Sequence, residues 1–167
     1  MKKIMLLSSN ESNVFFEAAV INKNLSEVVH KLLEKYKNPN LLDEMKRTPL
    51  MWAAITGDIE LTEKLIDLGA EINLSDEEGF TALHLAAKEN NKVIVELLIK
   101  NKADIDAKDK FGNTPLWRAT YNSRGKGELI TLLIKSGANP NEENNSGVSP
   151  YTLAETIGNY NVKQYFR

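Results

Sequence analysis

The sequence lacks cysteine altogether, over a length of 167 residues. Disulfides, thiolate catalysis and cysteine-ligated zinc are therefore excluded. It also lacks an excess of either charge, because 21 Lys and Arg stand against 23 Asp and Glu, a formal net charge of −2. Nucleic-acid-binding proteins typically carry a basic excess that attracts the phosphate backbone, so we expect no direct nucleic-acid partner.

Long apolar runs are missing as well. The apolar stretch at residues 4–7 is followed by polar Ser8 and Ser9, whereas the apolar core of a signal peptide needs about 7–15 residues. No other run approaches the roughly 18 residues of a membrane span. We therefore expect a cytoplasmic protein with no membrane partner.

Residues that could support chemistry are sparse. The only histidines, His30 and His84, lie in different parts of the chain, and a metal site needs three or four convergent ligands. Residues 124–127 read Arg-Gly-Lys-Gly but do not match the phosphate-binding loop pattern, so we interpret them as a loop between helices, with phosphate binding as the alternative. We predict no catalytic residue, no cofactor and no metal, and hence no enzyme.

An internal repeat dominates the rest of the sequence. Thr48, Thr81 and Thr114 begin similar segments 33 residues apart, and Ser149 begins a further, shorter copy after 35 residues. Each is suited to cap the N-terminus of a helix, and three of the four precede a proline that the first helical position tolerates. A short helix with paired alanines follows, and then a second helix with an apolar stripe, such as Ile94, Leu97 and Leu98. One such unit cannot bury its own stripe, so the copies are expected to stack.

The 33-residue period and the segment Thr81-Ala82-Leu83-His84 resemble the ankyrin repeat. The resemblance implies an all-α solenoid of helix-turn-helix repeats with β-turn or hairpin tips. It also gives His84 a structural role, in which the imidazole ring bridges neighbouring turns.

We divide the chain into a tail and one repeat domain. The tail, residues 1–12, is expected to be loosely held, and the repeat domain covers 13–167. Its parts are an N-terminal cap at 13–42, repeats at 43–75, 76–108 and 109–143, and a C-terminal cap at 144–167. We expect the apolar residues near the C-terminus, among them Val162, Tyr165 and Phe166, to cover the stripe of the third repeat.

Solenoids of this kind bind other macromolecules on the concave surface formed by turn tips and first helices. Residues without a packing role at those places are the candidates for partner binding. They are Met45, Arg47, Asp76, Glu77, Glu78, Phe80, Lys88, Lys110, Phe111, Trp117, Tyr121 and Asn122. We expect the four aromatic residues among them to anchor the partner, with the acidic tips facing basic groups. The alternative is that Phe111 and Trp117 pack on the adjoining repeat, whereas Trp52 is expected in the core.

The third repeat departs most from the pattern. Arg118 stands where the other repeats have Trp52 and Leu85, and the loop between its two helices is two residues longer. A buried arginine needs a charged partner, and we predict an ion pair with Glu128 or Glu155. Recognition of an anionic partner by Arg118 is the alternative.

A narrower resemblance concerns the segments 114–128 and 137–160. They are similar to small bacterial ankyrin-repeat proteins encoded beside polymorphic or contact-dependent toxins. That resemblance implies an immunity protein, monomeric alone and heterodimeric with its toxin, which it neutralises by occluding the active site. A regulatory adaptor and a host-directed effector are the alternatives.

Overall fold

The computed structural model describes residues 5–8, 24–157 and 161–167. The cap helix α1 spans Leu25–Tyr36, and the repeats then form the helix pairs α2 (Pro49–Thr56) and α3 (Ile59–Asp67), α4 (Ala82–Lys88) and α5 (Lys92–Lys100), and α6 (Pro115–Tyr121) and α7 (Glu128–Lys135). The last unit contributes α8 (Pro150–Thr156) and a 3₁₀ turn at Val162–Tyr165.

The helices stack in two layers. The first helices of the repeats form one row, in which α2, α4, α6 and α8 contact each other in order, and the second helices α3, α5 and α7 form the other. Every element therefore packs mainly on its own partner and on the next repeat. The expected all-α repeat solenoid is confirmed.

The first helix of each repeat begins as the sequence indicates. The hydroxyl oxygens of Thr48, Thr114 and Ser149 each accept a hydrogen bond of 3.2 Å from the backbone N–H three residues later. Such caps satisfy backbone donors that the helix itself leaves unpaired. Because the helix start is set by a side chain in each copy, the row of first helices keeps a common register.

Small residues let the first helices approach closely. Ala53, Ala54, Ala86 and Ala87 are completely buried, so almost no side chain separates the backbones of α2 and α4. The apolar stripes of the second helices close the core from the other side, with Leu65, Ile94, Leu98 and Leu133 also fully buried. Trp52 is 3% exposed, which confirms its expected place in the core.

Part of the tail is held by the fold, contrary to our expectation. Residues Met5–Leu6 form strand β1, which pairs in parallel with strand β2 at Leu41–Leu42. The backbone N–H of Leu7 donates to the carbonyl of Leu42 at 2.7 Å, and the Leu7 side chain is buried. The remainder of the predicted tail, and residues 13–23 of the predicted cap, lie outside the described residues.

No helix within the described ranges has the length and apolar character that crossing a membrane requires.

The C-terminal residues close the last repeat. Val162 is completely buried, and the 3₁₀ turn that contains it packs on α7 and α8. Phe166 meets Tyr151 of α8 edge to face, with ring centroids 6.0 Å apart. Leu129 and Leu133 of the helix α7, on which the turn packs, are buried in the core.

Deleting residues 149–167 should therefore lower the free energy of unfolding by at least about 3 kcal/mol, because the two leucines lose their cover. Removing Arg167 alone, which is exposed, is the matched control and should change nothing. Chemical denaturation measures the free energy of unfolding of both deletion variants, and light scattering shows whether they stay monomeric. A truncated protein that stays monomeric with an unchanged denaturation midpoint would show that these residues are no cap.

Candidate protein-binding surface

A polar side chain at the same position of each repeat folds the turn at its tip. These residues are Asp43, Asp76, Asp109 and Asn144. In each, one side-chain oxygen accepts hydrogen bonds from the backbone N–H groups two and four residues later; for Asp109 these distances are 2.8 and 3.0 Å. The three aspartates are at most 6% exposed, so buried carboxylates hold the first three turns closed.

The tips are also joined to one another through the backbone. In the second, third and fourth tips, the residue after the turn aspartate or asparagine donates its N–H to a carbonyl of the preceding tip. These bonds run from Glu77 to Met45, from Lys110 to Glu78 and from Asn145 to Phe111, at 2.9–3.0 Å. Glycine makes this approach possible, because a Cβ on Gly79 would lie 2.8 Å from the Lys110 nitrogen. The tips therefore form one continuous, rigid row.

Arg118 serves the turn of its own repeat. Its Nε donates to Oδ2 of Asp109 at 3.0 Å, and its Nη2 contacts the same oxygen. The prediction of an ion pair with Glu128 or Glu155 is therefore wrong, because Glu155 instead pairs with Lys163 at 2.7 Å and Glu128 is exposed. In the first repeat the equivalent Trp52 donates its indole N–H to Asp43 at 2.9 Å. Tryptophan in the first repeat and arginine in the third thus donate to the equivalent buried carboxylate oxygen.

The electrostatics of Asp109 follow from these contacts. Burial by itself raises the pKa of the Asp109 carboxyl group, but the hydrogen bonds and charge of Arg118, together with the N–H groups of Asn113 and Phe111, outweigh it. The pKa of Asp109 consequently lies below its ordinary value of 3.8.

His84 bridges two turns, in agreement with the role the resemblance implies. Its Nδ1 lies 3.2 Å from the backbone nitrogen of Thr81, which donates to it, and its Nε2 lies 3.0 Å from the carbonyl oxygen of Asn113 in the next repeat. The ring is completely buried. Burial is the main reason that the pKa of His84 is lowered, and the bond to the Asn113 carbonyl opposes it.

Three glutamates of the tips are paired within the protein. Glu78 pairs with Lys110, Glu77 lies 3.8 Å from Lys46, and Lys108 reaches Glu142 at 2.6 Å. These pairs join successive tips, so the three carboxylates are not free for a partner. Asp76 corrects our expectation of an accessible binding residue, because its side chain is 1% exposed and lies 3.4 Å from the Nε of Arg47.

The aromatic candidates divide into two groups. Phe111 and Tyr121 are 52% and 62% exposed, and half-buried Trp117 stacks on Tyr121 with ring centroids 5.4 Å apart. Phe80 is half-buried and lies under the Arg118 guanidinium at 4.7 Å. Trp117 and Tyr121 thus form a stacked aromatic pair on the surface, while Phe80 supports Arg118.

The remaining candidates are scattered. Met45 is 43% exposed on the first tip, and Lys88 is exposed at the end of α4. Asn122 is half-buried and donates to the carbonyl of Arg118 at 2.9 Å. The third repeat therefore brings together Trp117, Tyr121 and Asn122, and it leaves Met45 apart from them.

Sequence comparison agrees with this architecture. The family of ankyrin repeats (three copies) matches residues 15–109, 50–144 and 94–166. The chain belongs to the ankyrin-repeat family. None of the curated proteins matches it. Ankyrin repeats are protein–protein interaction modules and are typically non-enzymatic.

The ion pair between Arg118 and Asp109 in the third ankyrin repeat predicts how substitutions of Arg118 change stability. Arg118→Ala should lower the free energy of unfolding by about 3 kcal/mol at pH 7, because it leaves the Asp109 carboxylate buried without its cation. Arg118→Trp should lose much less, because the first repeat uses Trp52 for the same bond.

The pH dependence of this stability difference tests whether it comes from the ion pair. The stabilisation by this pair is present above the ordinary aspartate pKa and is lost as the pH falls through the lower folded-state value. The difference between wild type and Arg118→Ala, measured by urea denaturation, should therefore shrink below about pH 4. A constant difference down to pH 3 would contradict the role of the ion pair.

His84 predicts a second pH effect. Because its pKa is lowered in the folded protein, unfolding takes up a proton between that value and the ordinary 6.5. The free energy of unfolding should therefore not depend on the titration of His84 above pH 6.5, and it should fall as the pH decreases below that value. His84→Gln should be less stable but lack this slope. An imidazole that titrates at 6.5 by NMR in the folded protein would disprove the assignment.

Proposed function

We propose that this protein is an immunity protein that binds a cognate bacterial toxin in the cytoplasm and occludes its active site. Its membership of a family of protein-binding modules supports a protein partner. The resemblance of segments 114–128 and 137–160 to immunity proteins supports the choice of a toxin.

The observation that carries the proposed binding surface is the stacked pair of Trp117 and Tyr121. Tyr121, the last residue of α6, leaves 62% of its surface exposed. Large aromatic side chains with an exposed face are typical anchors of protein interfaces. Phe111, on the tip of the same repeat, is a further exposed aromatic residue.

Trp117 has a feature that packing does not explain. It occupies the position at which the second repeat has His84, yet its buried indole N–H finds no hydrogen-bond acceptor among the described residues. An unsatisfied buried donor costs about 1–3 kcal/mol. A histidine would restore the bridge between turns, so we infer that the tryptophan is retained for binding.

Charge has a smaller role in this proposal than we expected from the sequence. Three of the tip glutamates have lysine partners on neighbouring tips, so their docking against a basic rim would require those pairs to open. We infer that the aromatic residues supply most of the affinity and that the paired charges set the register of the complex.

The test is a binding titration with the co-expressed product of the neighbouring gene. Tyr121→Ala or Trp117→Ala should weaken binding by about 2 kcal/mol or more. Val93→Ala, which shortens an apolar side chain on α5 that is 45% exposed, is the matched control and should bind like wild type. Melting curves confirm that each variant is folded.

Trp117→His separates the two roles of this position. It should keep or raise the melting temperature while weakening both binding and protection of cells from the toxin. Folded aromatic variants that bind and protect like wild type would disprove the proposed surface. Failure of the neighbouring product to bind at all would instead point to a regulatory adaptor or effector.

A further inference from the structure

We propose that a basic cleft between the second and third repeats binds an acidic segment of the protein partner. This inference rests on the proposed function only in that the partner is a protein. The cleft lies where the C-terminal end of α4 faces the loop between α6 and α7, and it has a volume of about 440 Å³.

Positive charge dominates the lining of the cleft. Lys88, Arg124 and Lys126 face it together with a single carboxylate, that of Glu89, and the amides of Asn90 and Asn122 add neutral polar groups. All three cations are exposed. The cleft thus concentrates an excess of two positive charges in a protein whose net charge is −2.

These three cations differ from those of the turn tips. Lys46, Lys108 and Lys110 each pair with a carboxylate of another tip. Within the described ranges, by contrast, no carboxylate lies within 4.0 Å of the charged nitrogens of Lys88, Arg124 or Lys126. The cleft therefore keeps its charge available, and an incoming carboxylate need not displace an existing partner.

The loop that forms one wall has a fixed shape. Its two extra residues are accommodated by left-handed backbone at Arg124 and Gly125, with φ of 48° and 84°. Ser123 is buried, and its carbonyl accepts the N–H of Lys126 at 2.9 Å. A wall held in this way needs no ordering when a ligand binds, which favours affinity.

The C-terminal cap supports the loop from behind. The hydroxyl of Tyr165 donates to the carbonyl of Gly125 at 3.2 Å. The ring of Tyr165 fills the space beside Gly127, where a Cβ would lie 2.1 Å from the ring carbon Cγ. The tyrosine thus sets the position of the backbone that carries Arg124 and Lys126.

The position of the cleft indicates an acidic protein segment as its occupant. Tyr121 of the stacked aromatic pair directly precedes Asn122 of the cleft lining. A partner anchored on the aromatic pair would therefore place its neighbouring residues at the cleft. A nucleic acid would need a track of cations along the surface, whereas here three cations converge on one cleft.

Peptide titration of the full ¹⁵N-labelled chain, followed by NMR, tests the proposal. The probe is capped tetraglutamate, and capped tetraglutamine is its uncharged counterpart. Tetraglutamate should shift the amide signals of residues 88–90 and 122–127 in a saturable manner that weakens with added salt. Tetraglutamine should cause no such shifts.

Two matched double variants locate the binding. Lys88→Gln with Lys126→Gln should weaken tetraglutamate binding about tenfold, as the loss of two exposed ion pairs implies. Lys100→Gln with Lys135→Gln removes the same charge from the exposed ends of α5 and α7 and should leave the affinity unchanged.

Three results would overturn the proposal: equal weakening in both double variants, shifts spread over the whole surface, or equal shifts with tetraglutamine. Tighter binding of inorganic phosphate or of a ten-residue oligothymidine at the cleft would overturn the assignment of a carboxylate occupant. Because the titration contains no toxin, its outcome is independent of the test of toxin neutralisation. Binding of tetraglutamate by a protein that fails to neutralise a toxin would leave the cleft in place and reject only the immunity function.

Discussion

The stacking of the repeats depends on the buried carboxylates of the first three turns, those of Asp43, Asp76 and Asp109. Asp76 and Asp109 each use one oxygen to close their own turn, and the closed turn then presents an N–H to the preceding tip. In a solenoid, each repeat is stabilised mainly by its nearest neighbours. An error in one turn would therefore misalign the helices that follow it.

The second oxygen of each carboxylate explains a substitution that otherwise looks destabilising. It accepts from Trp52 in the first repeat and from Arg118 in the third, whereas in the second repeat, which has Leu85 at this position, Asp76 pairs with Arg47 of the preceding tip. The requirement is a donor at the buried oxygen, and three side-chain arrangements meet it. Arg118 is consequently compatible with a position that is apolar in the other repeats.

Local signals were sufficient to predict most of the fold. Hydroxyl caps, the alanine pairs and the 33-residue period depend on short stretches of sequence, and the structure has helices where these signals placed them. The partner of Arg118 was predicted wrongly because the equivalent Asp76 was expected to be accessible on its tip, and Asp109 was not considered as a buried partner. The recurrence of Asp43, Asp76 and Asp109 at the same 33-residue interval was the available signal. The pairing of β1 with β2 joins segments 36 residues apart, and no local pattern marks it.

The candidate site was harder to predict than the fold because side chains of adjacent repeats decide it. Phe80 resembles Phe111 in sequence, since each adjoins a turn glycine, but Phe80 lies under Arg118 of the next repeat and Phe111 does not. The near balance of total charge likewise does not reveal how the charges are distributed over the surface. At the tips, opposite charges neutralise each other, and at the cleft they do not.

The third repeat departs from the second in three features. The second repeat has the histidine bridge, a capped second helix and a short loop between its helices. The third has a tryptophan with an unsatisfied donor, a second helix whose N-cap Gly127 makes no side-chain hydrogen bond, and a longer loop. These three departures surround Trp117, Tyr121 and the basic cleft. Natural proteins break local rules chiefly where function requires it, and the departures in the third repeat therefore support our proposal that this repeat binds the partner.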